Sequence, residues 1–198
     1  MSQPRRPRFA LDQNFPAPIV AALRDYIVEA DLVPIGDIHP RLPTLDDWQL
    51  LVVLSRDSPA CDGLVTTDNS MLLQERELAV LIQTKLTLVV ADAAGDDPIK
   101  ATGLVLAYLP WIAKRKHRHQ AQVWVLRTMP RAAEDPWDRL KRIAKQQGDA
   151  DPKRLYSRHK IASPAQLAKD LLAMPSSPGG TRSKLGRRTR RRIRRPPG

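Results

Sequence analysis

From Phe9 to Trp124, short apolar runs alternate with longer stretches in which apolar residues recur at helical spacing. Arg8-Phe9-Ala10-Leu11 reads as a short strand that stops at Asp12. Pro16 to Ile27 follows as a helix, with Ile19, Val20, Leu23, Tyr26 and Ile27 along one face and proline in its first turn. Leu32 to Ile35 is a second candidate strand. Thr44 is placed to cap a helix reaching about Leu54, with Leu45, Trp48, Leu51 and Val52 on its apolar side and Asp46 and Asp47 in its first turn. Gly63-Leu64-Val65-Thr66-Thr67 is a β-branched run ending at Asp68, and Met71 to Ile82 returns to helical spacing. Leu86 to Val90 has the continuous apolar character of a strand buried on both faces. Asp96-Asp97-Pro98 opens a helix to about Ala113, and Ala121 to Leu126 is a last strand. Alternation of this kind predicts a parallel sheet covered by helices.

Beyond Arg127 the texture changes. Asp135-Pro136 starts a helix to about Gln147, and Ser163-Pro164 starts another with Leu167, Leu171 and Leu172 on one face. The chain then becomes Pro-Ser-Ser-Pro-Gly-Gly and, from Arg182 to Arg195, carries nine basic residues and no acidic one. Such a segment buries too little apolar surface to offset the entropy of ordering, so disorder is expected there. The organisation expected is a domain over 1–130, a helical extension over 131–175 and an Arg-rich tail over 176–198.

Charge sharpens this division. The chain has 198 residues and a formal net charge of +12. Residues 1–112 carry 9 Lys+Arg against 15 Asp+Glu, whereas residues 113–198 carry 24 against 6. An acidic body with a basic extension points to a polyanionic partner, reached through counterion release. Lys114, Arg115, Lys116 and Arg118, with Arg187, Arg188, Arg190, Arg191 and Arg192, are the expected phosphate contacts. The tail lacks aromatic residues, so it offers affinity without base stacking; docking to an acidic protein is its rival role. No apolar run approaches the ~20 residues of a membrane span. The start of the chain lacks the apolar segment of a secretory signal, so a cytoplasmic protein with no membrane partner is expected. Cys61 is the only cysteine and reads as a small buried hydrophobe.

The acids carry the candidate chemistry. Asp12, Asp68 and Asp92 each follow a predicted strand, and the carboxyl ends of parallel strands share one edge, where ligands bind near a switch in strand order. Asp46 and Asp47, at a helix start, can join them. Carboxylates brought together stay ionised only if a cation neutralises them, and Mg²⁺ or Mn²⁺ suits an oxygen donor set. Each acid has a plain alternative as a cap or turn residue. Asp62 begins its strand and belongs at the opposite edge. Glu75 and Glu77 are expected on a solvated helix face, with either available to replace Asp92. His117 and His119 sit among cations and read as a phosphate-contacting loop more readily than as metal ligands. Trp48, Trp111, Trp124 and Trp137 read as core residues.

Three segments resemble PIN-like domains over about residues 8–115. Phe9-Ala10-Leu11-Asp12-Gln13-Asn14 is similar to the opening strand that delivers the first metal-binding Asp, with a nearby supporting Asn. Thr44-Leu45-Asp46-Asp47-Trp48 resembles the helix start supplying the second acid, the Asp-Trp step favouring Asp47. Asp62-Gly63-Leu64-Val65-Thr66-Thr67-Asp68 resembles the segment in which a Thr two places earlier orients the third. The resemblance implies a three-layer α/β/α sandwich with a parallel central sheet, here followed by a basic helical extension. It also implies a ribonuclease using Mg²⁺ or Mn²⁺, of the kind that is often the toxin of a toxin–antitoxin pair. Asp12, Asp47 and Asp68 would then hold the ion, with Asp92 as a fourth acid and Asn14 and Thr66 orienting them. RNA and an antitoxin protein are the implied partners, and a homodimer is left open. Two rivals stand beside this: an inactive PIN-like module that only binds RNA or protein, and an Asp-phosphorylated domain, since Asp68-Asn69-Ser70-Met71 resembles a phospho-acceptor loop. Against the latter, only Asp12 follows the first strand where a receiver wants an acidic pair, and Asn14 stands where a phosphatase wants Asp.

Overall fold

In a computed structural model of the chain, residues 5–15, 17–56, 59–92, 97–115, 120–127, 133–147 and 151–173 are described. The basic tail, Lys116, His117, Arg118 and His119 lie outside them. Five short strands form the centre: β1 (Arg8–Leu11), β2 (Asp31–Pro34), β3 (Gly63–Thr66), β4 (Thr87–Val90) and β5 (Gln122–Val125). They pair in the order β2-β1-β3-β4-β5, every pair parallel. The sheet expected from the apolar alternation is therefore present.

Successive side chains of a strand point to opposite faces, and the core divides accordingly. On one face Phe9, Leu11, Val65, Val89 and Trp124 pack with Leu23 of α1 (Ala17–Tyr26) and Val105 and Leu109 of α5 (Pro98–Arg115). On the other, Ala10, Leu64, Leu88, Val90 and Val123 meet α3 (Asp47–Leu54) and α4 (Glu75–Thr84). Burying each large aliphatic side chain contributes roughly 1.5–3 kcal/mol. The protein is thus α/β, with helices on both faces of a five-stranded parallel sheet. Gly63 opens β3 where the strands crowd: a Cβ there would lie 2.6 Å from the Phe9 ring and closer still to the Thr87 carbonyl oxygen.

Several boundaries differ from those expected. Leu42–Thr44 forms a 3₁₀ turn, and the Thr44 hydroxyl donates back to the Arg41 carbonyl at 2.8 Å. The cap of α3 is instead Asp46, in a capping box with Gln49, whose Oε1 accepts from the Asp46 amide at 3.1 Å. The stretch from Met71 to Ile82 is divided into a 3₁₀ turn (Asn69–Leu72) and α4, with Leu73 exposed between them. A single turn, α2 (Ile35–Ile38), follows β2 without a helical apolar pattern to announce it.

The extension packs on the core. α6 (Pro136–Gln146) and α7 (Pro152–His159) lie against α4 through Leu140, Ala144 and Leu155 around Leu78. α8 (Pro164–Ala173) packs on α3 and adds Ala168 and Leu171 to the main core. Trp124 is buried edge-on to Trp111, and Trp137 packs edge-on to Tyr156, as core residues do. Cys61 is likewise buried in the core. Among the described residues no helix is long and apolar enough to cross a membrane.

Candidate functional site

With the order 2-1-3-4-5, the strand order reverses between β1 and β3, and open parallel sheets bind ligands outside the carboxyl ends at that switch. Asp12 follows β1 directly, and Asp68 lies two residues beyond β3, so both flank it. Asp12 is buried, with only 7 % of its surface exposed. Its Oδ2 accepts from Thr66 Oγ1 at 2.8 Å and Asn14 Nδ2 at 3.2 Å, and its Oδ1 accepts from the Gln13 amide at 2.7 Å. A carboxylate has about four acceptor positions. These three donors therefore fix the group and leave capacity for one more partner.

Thr66 joins the two acids. Fully buried at the end of β3, its hydroxyl donates to Asp12 and accepts from the Asp68 amide at 3.0 Å. The Asp68 backbone thus stands two hydrogen-bond lengths from the Asp12 carboxylate. Asp68 Oδ1 in turn accepts from the Ser70 amide at 2.8 Å, capping the 3₁₀ turn. The orienting residues expected from sequence, Asn14 and Thr66, both act on Asp12; Thr66 touches the third acid only through its backbone.

A second acidic group lies at the starts of α3 and α4. The α3 C-terminus is tied near the start of β3 by the Cys61 amide donating to the Leu54 carbonyl at 2.9 Å, so α3 begins toward the carboxyl edge. α4 leaves that edge and returns to β4. Asp47 opens α3; Glu77 stands in the first turn of α4, only 6 % exposed, and its Oε2 has no hydrogen-bond partner. Burial pushes the Glu77 carboxyl above its ordinary range, and the nearby Asp47 and Asp46 push it the same way. Glu77 is therefore not on a solvated face, as its sequence suggested. Arg76 beside it lies over the Trp48 ring, 5.0 Å from the centroid.

Other candidates fall elsewhere. Asp62 precedes β3 at the amino edge, where its Oδ2 accepts from the Arg8 amide at 2.7 Å, so it is removed from the site. Asp46 serves the capping box. Glu75 binds His159 at 3.1 Å and also Gln147, fastening α6 and α7 to α4. Asp92 does stand at the carboxyl end of β4, but Asn69 and Arg127 occupy both its oxygens. These donors hold the Asp92 carboxyl below its usual range, the Asn69 amide most strongly.

Lys114 and Arg115 lie away from the acids. α5 runs from the carboxyl end of β4 to the amino end of the parallel β5, so its last turn lies at the edge opposite the acids. There Lys114 pairs with Glu29 at 3.3 Å and Arg115 covers Trp111 at 3.9 Å. They do not flank Asp12 and Asp68. Among the described residues no three His, Cys, Asp or Glu side chains form a ready-made metal group. The donor chemistry nevertheless fits a hard cation. Mg²⁺ keeps several waters and needs only one or two carboxylates, and Glu77 Oε2 is a buried carboxyl oxygen without a hydrogen-bond partner. Comparison with protein families, curated proteins and solved structures finds no match for the chain, so the chemistry of this edge rests on its own geometry.

Proposed function

We propose that the chain is a PIN-like, divalent-metal-dependent endoribonuclease, of the type that serves as the toxin of a toxin–antitoxin pair. The observation that carries this is the tie, through one buried hydroxyl, of the Asp12 carboxylate to the Asp68 backbone across the β1/β3 switch. Phosphodiester hydrolysis needs little covalent help from a protein; it needs positioned anions for a cation and positioned cations for the phosphate. Asp12 and Asp68 would hold Mg²⁺ or Mn²⁺, with Asp47 and Glu77 supplying further negative charge at the same edge. When bound, the ion neutralises charge on the phosphoryl group and favours ionisation of a water. Thr66 and Asn14 hold Asp12 Oδ2 and the Gln13 amide holds Oδ1, so no reorganisation is needed when substrate arrives. The Arg-rich segment supplies affinity for the RNA backbone.

The test is cleavage of RNA by the full chain with and without Mg²⁺ or Mn²⁺, beside Asp68→Asn. We expect divalent-dependent cleavage that the substitution lowers at least about 100-fold, with the thermal transition unchanged. Cleavage that persists in Asp68→Asn overturns the assignment. RNA binding without cleavage under any divalent ion instead favours a module that only binds.

A further inference from the structure

We infer that Arg127, braced by Asp92 at the carboxyl end of β5, binds a phosphate of the RNA strand, and that Asp92 is its positioning residue. This rests on the nuclease reading for the identity of the polyanion, but its geometry is independent of the metal.

Arg127 Nε and Nη2 lie 3.0 and 2.7 Å from Asp92 Oδ2. The other oxygen, Oδ1, accepts from Asn69 Nδ2 at 2.8 Å. Asp92 is thereby held from the segments that follow β3 and β5, and both its oxygens are taken by donors. A carboxylate committed to a guanidinium is a poor cation ligand, which removes Asp92 from the metal role its position suggests. The Asp92 side chain is 19 % exposed while that of Arg127 is 54 % exposed, so the bridge is anchored on its acid side and open on its basic side. A guanidinium carries five N–H donors in a planar fork. Two are used by Asp92; the rest can meet oxygens of a phosphate, for which the fork is well shaped.

Place in the fold makes this more than a surface ion pair. In the two residues that follow each strand, Arg127 is the only Lys or Arg. Hydrogen bonds and one peptide link run from Asp12 through Thr66, Asp68, Asn69 and Asp92 to Arg127. The guanidinium is thus held in register with the acid pair. β5 lies two strands from β3, about 10 Å by strand spacing. That separation suits a phosphate neighbouring the scissile one rather than the scissile group itself. An acid pair for a cation and a braced arginine to one side give a phosphodiester strand two points of attachment, and hence a direction along the edge.

The test compares Arg127→Gln, Arg127→Lys and Asp92→Asn with the unaltered full chain, using a short oligoribonucleotide with Mn²⁺. For Arg127→Gln we expect KM to rise about 10-fold with kcat nearly unchanged, and the salt dependence of KM to flatten by about 0.7 in log–log slope. Arg127→Lys keeps the slope but recovers only part of the affinity; Asp92→Asn raises KM in the same direction without flattening the slope. An unchanged KM in Arg127→Gln overturns the inference. If the unaltered chain does not cleave, the nuclease reading fails, and binding of the same oligonucleotide with and without Arg127→Gln still decides the phosphate contact: equal affinity overturns it.

Discussion

Replacing Thr66 by valine keeps the shape of the side chain and removes only the hydroxyl that joins Asp12 to Asp68. Two interactions are lost: a hydrogen bond to a carboxylate at 2.8 Å, and the acceptor of the Asp68 amide at 3.0 Å. Bonds to charged groups contribute about 1.5–3 kcal/mol, and a partly buried amide left unpaired costs about another 1 kcal/mol. Asn14 still donates to the same Asp12 oxygen, which places the first loss at the low end. The expected destabilisation is about 2–3 kcal/mol, a fall in Tm of roughly 4–12 °C for a chain of this size. Thr66→Ser is the control. It keeps the hydroxyl and loses one methyl, about 1 kcal/mol. Urea denaturation read by Trp fluorescence measures both. Cleavage should separate them further, because an Asp12 carboxylate displaced by even 1 Å lowers the rate about 100-fold in the valine variant, with the serine variant near the unaltered rate. Equal destabilisation and equal activity in the two variants would refute the role given to the hydroxyl.

Glu77→Gln should raise the Tm at neutral pH in the absence of divalent ions. The folded chain holds a proton on Glu77 more tightly than the unfolded chain, so its contribution is present at low pH and lost as pH rises through the raised range. The difference between the two proteins should close as pH falls below 4.5, the ordinary value, and narrow on adding Mn²⁺, which calorimetry across pH will show. Gly63→Ala drives a methyl into the Phe9 ring and the Thr87 carbonyl, and the carbonyl belongs to the backbone of the paired strand β4. A loss of about 3 kcal/mol is expected, visible as a lowered Tm or insoluble expression; a soluble variant with an unshifted Tm contradicts the close packing described.

The strands were legible because each is a short apolar or β-branched run ended by a turn residue, and Asp12, Asp68 and Asp92 stand at the carboxyl edge for that reason. Helix starts were less so. Thr44 and Asp46 are both good capping residues, and only the reciprocal bond to Gln49 decides between them. α7 carries an Asp-Pro start at Asp151-Pro152 like that of α6, a signal present in the sequence itself. Glu77 reads as solvated because its burial comes from tertiary packing around the start of α4, which no local pattern reports. For Lys114 and Arg115 the sequence gives the sign of the charge; the edge on which it lies follows from the direction of α5 between two parallel strands. The engagement of Asp92 by Arg127 joins residues 35 apart and has no local signature.

The last described helix seals the layer laid down by α3. Leu171 fills the core beside Leu50 and Leu51, and its carbonyl accepts from Arg41, 130 residues earlier. A contact of that span cannot form while the ribosome is still making the middle of the chain. Until α8 emerges, the apolar side of α3 stays open to water and to neighbouring nascent chains. Completion of the layer over α3 is in this way tied to the progress of translation, and a fragment ending near residue 130 inherits a sticky surface in place of a finished one.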